Sequence, residues 1–445
     1  MAKISSNAAI DEQEYSNGPN KKTHSFAIVE PHEELGAGRQ GFLAKILSEF
    51  QHHLNERESH FLGYPLNVRC NFLMDLSPLL QFHINNIGDP FKDSNLGMHS
   101  KQFEVAVLDW FGQLWEIEKE EYWGYVTNGG SEGNFQGLLL GRELLPDGIL
   151  YTSRESHYSI FKAARMFRMD CKIIGTLITG EIDYTDLRET LRLNKDKPAI
   201  INVNIGTTFK GGVDKLDVII KTLEECGFSE NRFYIHCDTA LCGLISPFLQ
   251  QGPLFSFKKP IGSVSVSMHK LFGAPMPCGV HMTRKRYIST VSKNIEYIET
   301  LDNTISGSRN GHAPIFMWYG LNLKGRSGIQ KDVNKCLMNA RYLRDRLKNA
   351  GISNMHNEMS LVVVFERPLG CEFVKHWQLS CQGNMAHVVV MPHVTTEMLD
   401  NFVKDFVRER DVWYQFGQIE PPCLGEDTGT CNCTCSRHGK GSSTV

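Results

Sequence analysis

What this chain lacks narrows it first. No apolar run approaches the roughly 20 residues that a membrane-spanning helix needs, and the sequence shows no internal repeat. A large charge imbalance is missing too. The 47 Lys and Arg residues stand against 50 Asp and Glu, a formal net charge of −3. That balance gives no reason to expect nucleic acid or an anionic membrane surface as a partner. Met1 to Lys22 has no apolar core of a secretory signal, and its acids set it apart from an Arg-rich transit peptide. A cytoplasmic protein is the expectation. Cysteine is not scarce. Of the 13, those from Cys70 to Cys381 are scattered singly, several inside apolar runs (Cys237, Cys242, Cys278). In a reducing compartment they read as small core hydrophobes. With 445 residues and an apolar share of 41%, the chain predicts two packed domains plus terminal extensions.

The pattern along the chain divides it further. Residues 1–25 are polar and aperiodic and predict disorder. Residues 26–90 form a helical segment, in which Leu43, Ile46, Leu47 and Phe50 fall on one helix face. Residues 91–310 predict a large α/β domain. Phe103–Ile117 reads as an amphipathic helix, and strands at Tyr122–Thr127, Ile149–Thr152, Ala199–Asn204, Arg232–His236 and Ser263–Ser267 alternate with helices. Such alternation implies crossover connections and a mostly parallel sheet. Residues 311–420 read as a smaller α+β domain, with a long helix at Gln330–Ala350, strands near Leu361–Phe365 and His387–Met391, and a helix at Thr395–Arg408. Residues 421–445 form a Cys-rich tail.

In an open parallel sheet, ligands bind at the carboxyl ends of the strands. The conspicuous polar residues fall at those ends. Ser265-Val-Ser-Met-His-Lys270 closes one strand on a lysine, and another leads into Asp238. A lysine can form an imine with the aldehyde of pyridoxal phosphate (PLP), and a carboxylate can keep the pyridine nitrogen protonated. Gly129, Gly130 and Ser131 open a helix after a strand, an arrangement suited to a phosphate or to an ordinary turn. His157 follows the next strand, either to stack on a flat ring or to sit beside a helix cap. Thr208 offers a hydroxyl, and small Ala240 would lie beneath a ring.

Together, Thr127–Asn134, Ser153–Ser159, Asn202–Thr208, His236–Ala240, Ser267–Lys270 and Gly307–His312 resemble the group II PLP-dependent amino acid decarboxylases, and among them the plant serine decarboxylase branch, historically labelled histidine decarboxylase. The resemblance runs from about Gly63 to Gly417. It implies a type I aminotransferase-like fold and a homodimer with active sites at the interface. It makes Lys270 the Schiff-base lysine, Asp238 the pyridinium partner and His157 the stacking residue. Gly130, Ser131, Ser267 and His269 would surround the phosphate, and Ser308 would reach the partner's cofactor. The implied reaction runs through an external aldimine. CO2 leaves, the ring takes the electrons as a quinonoid, and Cα is protonated. The family pattern assigns that proton to a loop tyrosine, here Tyr297, which also fits as a plain amphipathic-helix residue.

The sequence departs from the branch near the site. Met268, Thr239 and Cys242 replace residues that are commonly Gly, Gly and Phe. A methionine beside the lysine adds volume where a glycine can use positive φ. Phe72 falls in a segment expected near the substrate mouth, where it could not hydrogen-bond a serine hydroxyl. L-Serine, giving ethanolamine, is the expected substrate, with alanine (ethylamine) and histidine (histamine) as alternatives. Other PLP chemistry and a catalytically silent dimerising paralogue are further readings. In the tail, Cys423, Cys431, Cys433, Cys435 and His438 offer thiolates and an imidazole to zinc, or form a disordered, redox-exposed end.

Overall fold

The protein is described by a computed structural model covering residues 28, 36–70, 72–415, 417, 420–435 and 438. The stretch expected to be disordered, 1–25, lies outside the described residues. The chain forms two compact units, 1–60 and 61–445. In the first, helix α1 spans Gly36–Glu58, where the helical period predicts it. Its stripe of Leu43, Leu47, Phe50 and Leu54 is exposed.

The second unit opens with a short helix α2 (Leu73–Leu76) and the helix α3 (Lys101–Leu114). A seven-stranded sheet follows: β1 (Tyr122–Thr127), β2 (Ile149–Ser153), β3 (Cys171–Ile174), β4 (Ala199–Asn204), β5 (Phe233–Asp238), β6 (Ser263–Ser267) and β7 (Gly279–Arg284). Their spatial order is β1-β7-β6-β5-β4-β2-β3, and within this sheet only β7 runs antiparallel to its neighbours. Helices α4 (Gly130–Leu144), α5 (Tyr158–Met166), α6 (Tyr184–Leu193) and α7 (Leu216–Glu225) make the connections. The parallel strands β2, β4, β5 and β6 are buried along their full lengths, so the polar residues that alternate along β5 and β6 are satisfied inside the protein. The patterning does not anticipate β3, β7 or α6. Strand β3 is an edge strand with Lys172 and Ile173 exposed, so it has no apolar run. Helix α6 is set by its cap: the Asp183 carboxylate accepts from the Thr185 and Asp186 amides at 2.9 and 3.2 Å.

Strands β8 (Lys293–Ile295) and β9 (Thr300–Asp302) form a hairpin. Helix α8 then runs from His312 to Asn349, longer than the periodicity suggests, because it continues through a non-helical residue, Gly325 (φ 57°). A four-stranded antiparallel sheet packs beyond it, with β10 (Asn354–His356), β11 (Val362–Glu366), β12 (Ser380–Gln382) and β13 (Met385–Val389) in the order β10-β11-β13-β12. Helices α9 (Cys371–His376), α10 (Thr396–Tyr414) and α11 (Gly425–Thr428) complete the unit.

A buried ion pair ties the loops beside β1 together. The Arg309 guanidinium meets the Glu104 carboxylate, and both side chains are almost fully buried. Glu104 also accepts from the Val126 amide at 2.7 Å and from Asn86 Nδ2 at 2.8 Å. Arg309 donates to the Gly88 carbonyl at 2.9 Å. With its lone pairs satisfied in this way, removing either partner would strand a buried charge.

Candidate active site

A cavity of about 270 Å³ opens at the carboxyl ends of the parallel strands. It is lined from the large sheet by the residues after β1, β2, β4, β5 and β6, and from the smaller sheet by Val362 and Val389. Of the residues expected around a cofactor, Gly129, Gly130, Ser131, His157, Thr208, Asp238, Ala240, Ser267, His269 and Lys270 all line it. Asn134, Asn204 and Thr207 line it as well. They escaped the list of expected ligands because asparagine and threonine at strand ends are ordinary turn residues.

The glycine turn is built for close approach. Gly129 has φ 109°, a left-handed conformation suited to glycine. A Cβ on Gly130 would come within 2.6 Å of Ser267 Oγ, which accepts from the Gly130 amide at 3.0 Å. The amides of the first turn of α4 thus face the cavity beside a serine hydroxyl, the donor set that an anionic phosphate needs.

Asp238 is buried, 6% exposed. One carboxylate oxygen accepts from Asn134 Nδ2 at 2.8 Å and the other from the Ala240 amide at 3.1 Å. Lys270 is half-buried at the cavity, and burial pulls its pKa below that of a free lysine, with Asp238 pulling the other way. Among the described residues no protein group takes a hydrogen bond from its Nζ. Burial also lowers the pKa of His157, against the charge of Asp238. His157 Nδ1 accepts from the Ser159 amide at 3.3 Å and lies 2.8 Å from Ser159 Oγ, so the imidazole proton belongs on Nε2. His269 Nδ1 lies 3.0 Å from the Cys278 carbonyl.

The substitutions near the lysine leave the cavity intact. Met268 is fully buried in the core and has no positive φ. Thr239 is also fully buried and donates to the Ser265 carbonyl at 2.8 Å. Cys242 is buried as well, and none of the three lines the cavity. Met268, two residues before the lysine, packs into the core, whereas Cys242 lies near enough to Lys270 for their charges to interact.

Other expected residues lie elsewhere. Phe72 is not at the cavity mouth. It is buried, with its ring centroid about 6 Å from those of Phe272 and Tyr319 and 6.4 Å from that of Phe316. Tyr297 is 78% exposed on the turn between β8 and β9 and lines no part of the cavity. Ser308 is exposed and accepts from Asn85 Nδ2 at 3.1 Å.

The tail forms a second constellation. Ligand atoms of Cys423, Cys433, Cys435 and His438 all lie within 4.8 Å of one another. Sγ of Cys423 and Sγ of Cys433 are 3.8 Å apart, and His438 Nδ1 is 3.5 Å from Cys423 Sγ and 3.3 Å from Cys435 Sγ. Cys431, expected among these ligands, is exposed and outside the cluster. The alternation Cys431-x-Cys433-x-Cys435 obscured which thiols face inward. The tail also touches the cavity's surroundings. Lys210 Nζ donates to the Asp427 carbonyl at 2.8 Å and lies 3.9 Å from a Glu155 carboxylate oxygen.

An amine, a carboxylate, an imidazole and an anion-binding helix start at one cavity on this sheet define a PLP-dependent enzyme of the type I fold. The comparisons narrow the class. The conserved domain of pyridoxal-dependent decarboxylases matches residues 143–367. Serine decarboxylase 1 of Oryza sativa subsp. japonica is 60% identical over 426 residues, covering 95% of this chain and 88% of that protein. A histidine decarboxylase of Solanum lycopersicum is 58% identical, covering 88% of this chain and 95% of its own length. The fold matches that of L-methionine decarboxylase from Streptomyces sp. 590 with a TM-score of 0.78 at 24% identity, covering 88% of this chain and 98% of that one. The chain belongs to the pyridoxal-dependent decarboxylase family, and it is a PLP-dependent amino acid carboxy-lyase.

Proposed function

We propose that this enzyme decarboxylates L-serine to ethanolamine and CO2. The observation that carries the substrate is the 60% identity to a plant serine decarboxylase along nearly the whole chain. Lys270, Asp238 and His157 at one cavity carry the chemistry. When bound, PLP supplies an aldehyde that captures an amine and a ring that accepts the electron pair left by departing CO2. Burial lowers the pKa of Lys270 from that of a free lysine, which favours the neutral, nucleophilic amine that imine formation needs. Asp238 provides the negative charge that keeps a ring nitrogen protonated. His157 offers a flat neutral ring with its free N–H at Nε2 to the substrate side. Gly129, Gly130, Ser131, Ser267, His269 and Thr208 hold the phosphate end, and Ala240 leaves room for the ring.

Alanine loses its particular support, because Phe72 packs in an aromatic cluster away from the cavity. Histidine keeps one, the tomato relative of that name. An intact imine site speaks against a silent paralogue. CO2 and amine release from serine, alanine and histidine in parallel tests the reading. Serine should give the highest kcat/KM, and preference for histidine would overturn it.

The enzyme works as a cytoplasmic homodimer in this proposal. The exposed apolar stripe on α1 supplies a surface for a second copy. Tyr297 and Ser308, outside the cavity of their own chain, would serve the partner's: Tyr297 protonates Cα and Ser308 meets the phosphate. Light scattering on the purified protein tests the dimer. Cys423, Cys433, Cys435 and His438 bind one zinc ion as a structural site, which their compact ligand set supports. Metal analysis of protein purified without added zinc checks it.

A further inference from the structure

Helix α4 lies unusually close to the sheet. Glycines at 133, 137 and 141 fall four apart on one helix face. A Cβ on Gly133 would come within 2.7 Å of Ser265 Cβ, one on Gly137 within 2.2 Å of His236 Nδ1, and one on Gly141 within 2.8 Å of the Tyr234 ring. The close approach leaves space for a file of polar side chains on a sheet face that is otherwise sealed. On β5 these are Tyr234, His236 and Asp238, alternate residues pointing the same way. On β6 they are Ser263 and Ser265. Asn134 reaches in from α4.

Their hydrogen bonds form one connected chain. Tyr234 Oη donates to Ser263 Oγ at 2.7 Å. Ser263 Oγ lies 2.8 Å from His236 Nδ1, and His236 Nε2 lies 3.0 Å from Asn134 Oδ1. Ser265 Oγ donates to the same Asn134 oxygen at 2.5 Å, and Asn134 Nδ2 donates to Asp238 at 2.8 Å. The direction of every proton follows from the ends. A carboxylate only accepts, so the amide nitrogen of Asn134 must face Asp238 and its oxygen must face His236. An amide oxygen also only accepts, so His236 carries its proton on Nε2. Its bare Nδ1 then takes the Ser263 hydroxyl, which in turn accepts from Tyr234. Complete burial keeps His236 neutral, with its pKa pushed down to about 4. The second Nδ2 proton of Asn134 goes to Ser159 Oγ on α5, at 3.0 Å, and Ser159 sits on His157.

We propose that Asn134 and His236 are positioning residues. The donor chain Tyr234–Ser263–His236–Asn134 runs one way, ends on the Asp238 carboxylate, and holds it oriented toward the cavity. Asn134 is the hub that sets Asp238 and His157 from a single side chain. Each donor polarises the next toward the negative end of the chain. The proposal rests on Asp238 as the partner of the cofactor ring nitrogen.

The test uses PLP-loaded full-length enzyme without substrate, read by its visible absorption band and by PLP retention, alongside kcat and KM. His236→Leu removes the Nε2 donor. It should weaken the long-wavelength band and lower kcat about tenfold, the size expected for one lost hydrogen bond to a charged-group network, with KM nearly unchanged. His236→Gln restores an N–H and should recover most of both. Tyr234→Phe removes the remotest donor with little change of volume and should lower kcat roughly twofold. If His236→Leu fails to fold, Tyr234→Phe and His236→Gln still decide. Variants that lose thermal stability while keeping the wild-type band and kcat overturn the relay. Asp238→Asn is the control. If it changes the band and the relay variants do not, the relay alone fails. If Asp238→Asn leaves the band unaltered, the Asp238 reading fails and the relay with it.

Discussion

The cavity and the tail cluster solve one problem, bringing reactive side chains together, by opposite routes. The cavity gathers Asn128 through Lys270 from five strand ends. Its groups come from connections far apart in sequence, and their meeting depends on the packing of the whole sheet. The tail cluster takes all four of its groups from Cys423 to His438, with only short turns between them. A site made by long-range packing is rigid and can be dry, which shifts the pKa of Lys270 and neutralises nearby imidazoles. The tail cluster draws its groups from one short segment, which Cys433 and Cys435 anchor in the core and Thr434 ties to Ser353.

The contrast predicts that damage in the cavity abolishes chemistry, whereas damage in the tail loosens the structure. Lys270→Ala should cost at least about 1,000-fold in kcat, with the protein still folded by circular dichroism. Asp238→Asn should lower kcat about 100-fold with a smaller change in KM, because the charge that stabilises the electron-accepting ring is lost. Steady-state kinetics would measure both.

Acid should find the sheet before the tail. His236 and His281 are fully buried and held neutral, His236 with a pKa of about 4 and His281 with one well below the usual histidine value. An unfolded histidine protonates near 6.5. Between about pH 6.5 and pH 4 the unfolded chain therefore binds protons that the folded chain refuses. Stability present above 6.5 is lost as pH falls through that window. The His236 contribution alone is roughly 3 kcal/mol by pH 4, and urea midpoints measured from pH 7 to pH 4 should fall accordingly. His236→Gln should flatten the slope.

The smallest effect belongs to the tail. If the proposed zinc is bound there, chelating it should lower the melting temperature by about 5 °C and leave the cavity's visible absorption unchanged. A change in that absorption on chelation would break the contrast. It would show the two regions coupled, and Lys210, bonded to the Asp427 carbonyl and facing Glu155, is the contact through which that would pass.

Much of the cavity was legible along the chain because strand ends carry their own signal. A β-branched run that stops at a glycine pair, a histidine, an aspartate or a lysine announces both the strand and the residue that projects beyond it. Lys270, Asp238 and His157 were each found that way. The polar alternation of Tyr234, His236 and Asp238, and of Ser263, Ser265 and Ser267, was equally visible, but alternation in a buried strand does not say which partner satisfies it. Phe72 was misplaced for a related reason. Its neighbourhood in sequence says nothing about Phe272, Phe316 and Tyr319, which close around it from far along the chain.

Local pattern, then, was enough for the α/β class and for marking Lys270, Asp238 and the tail thiols as candidates, since periodicity and residue chemistry are properties of short segments. Only the tertiary structure decided that Met268 and Thr239 are buried off the cavity lining, that Cys431 is left out of the tail's Cys–His cluster, and that Asn134 joins Asp238 to His236. Each of these depends on which side chain faces which across elements distant in sequence. That is settled by packing, by the close approach that Gly133, Gly137 and Gly141 permit, and by the pairing of most buried donors with acceptors.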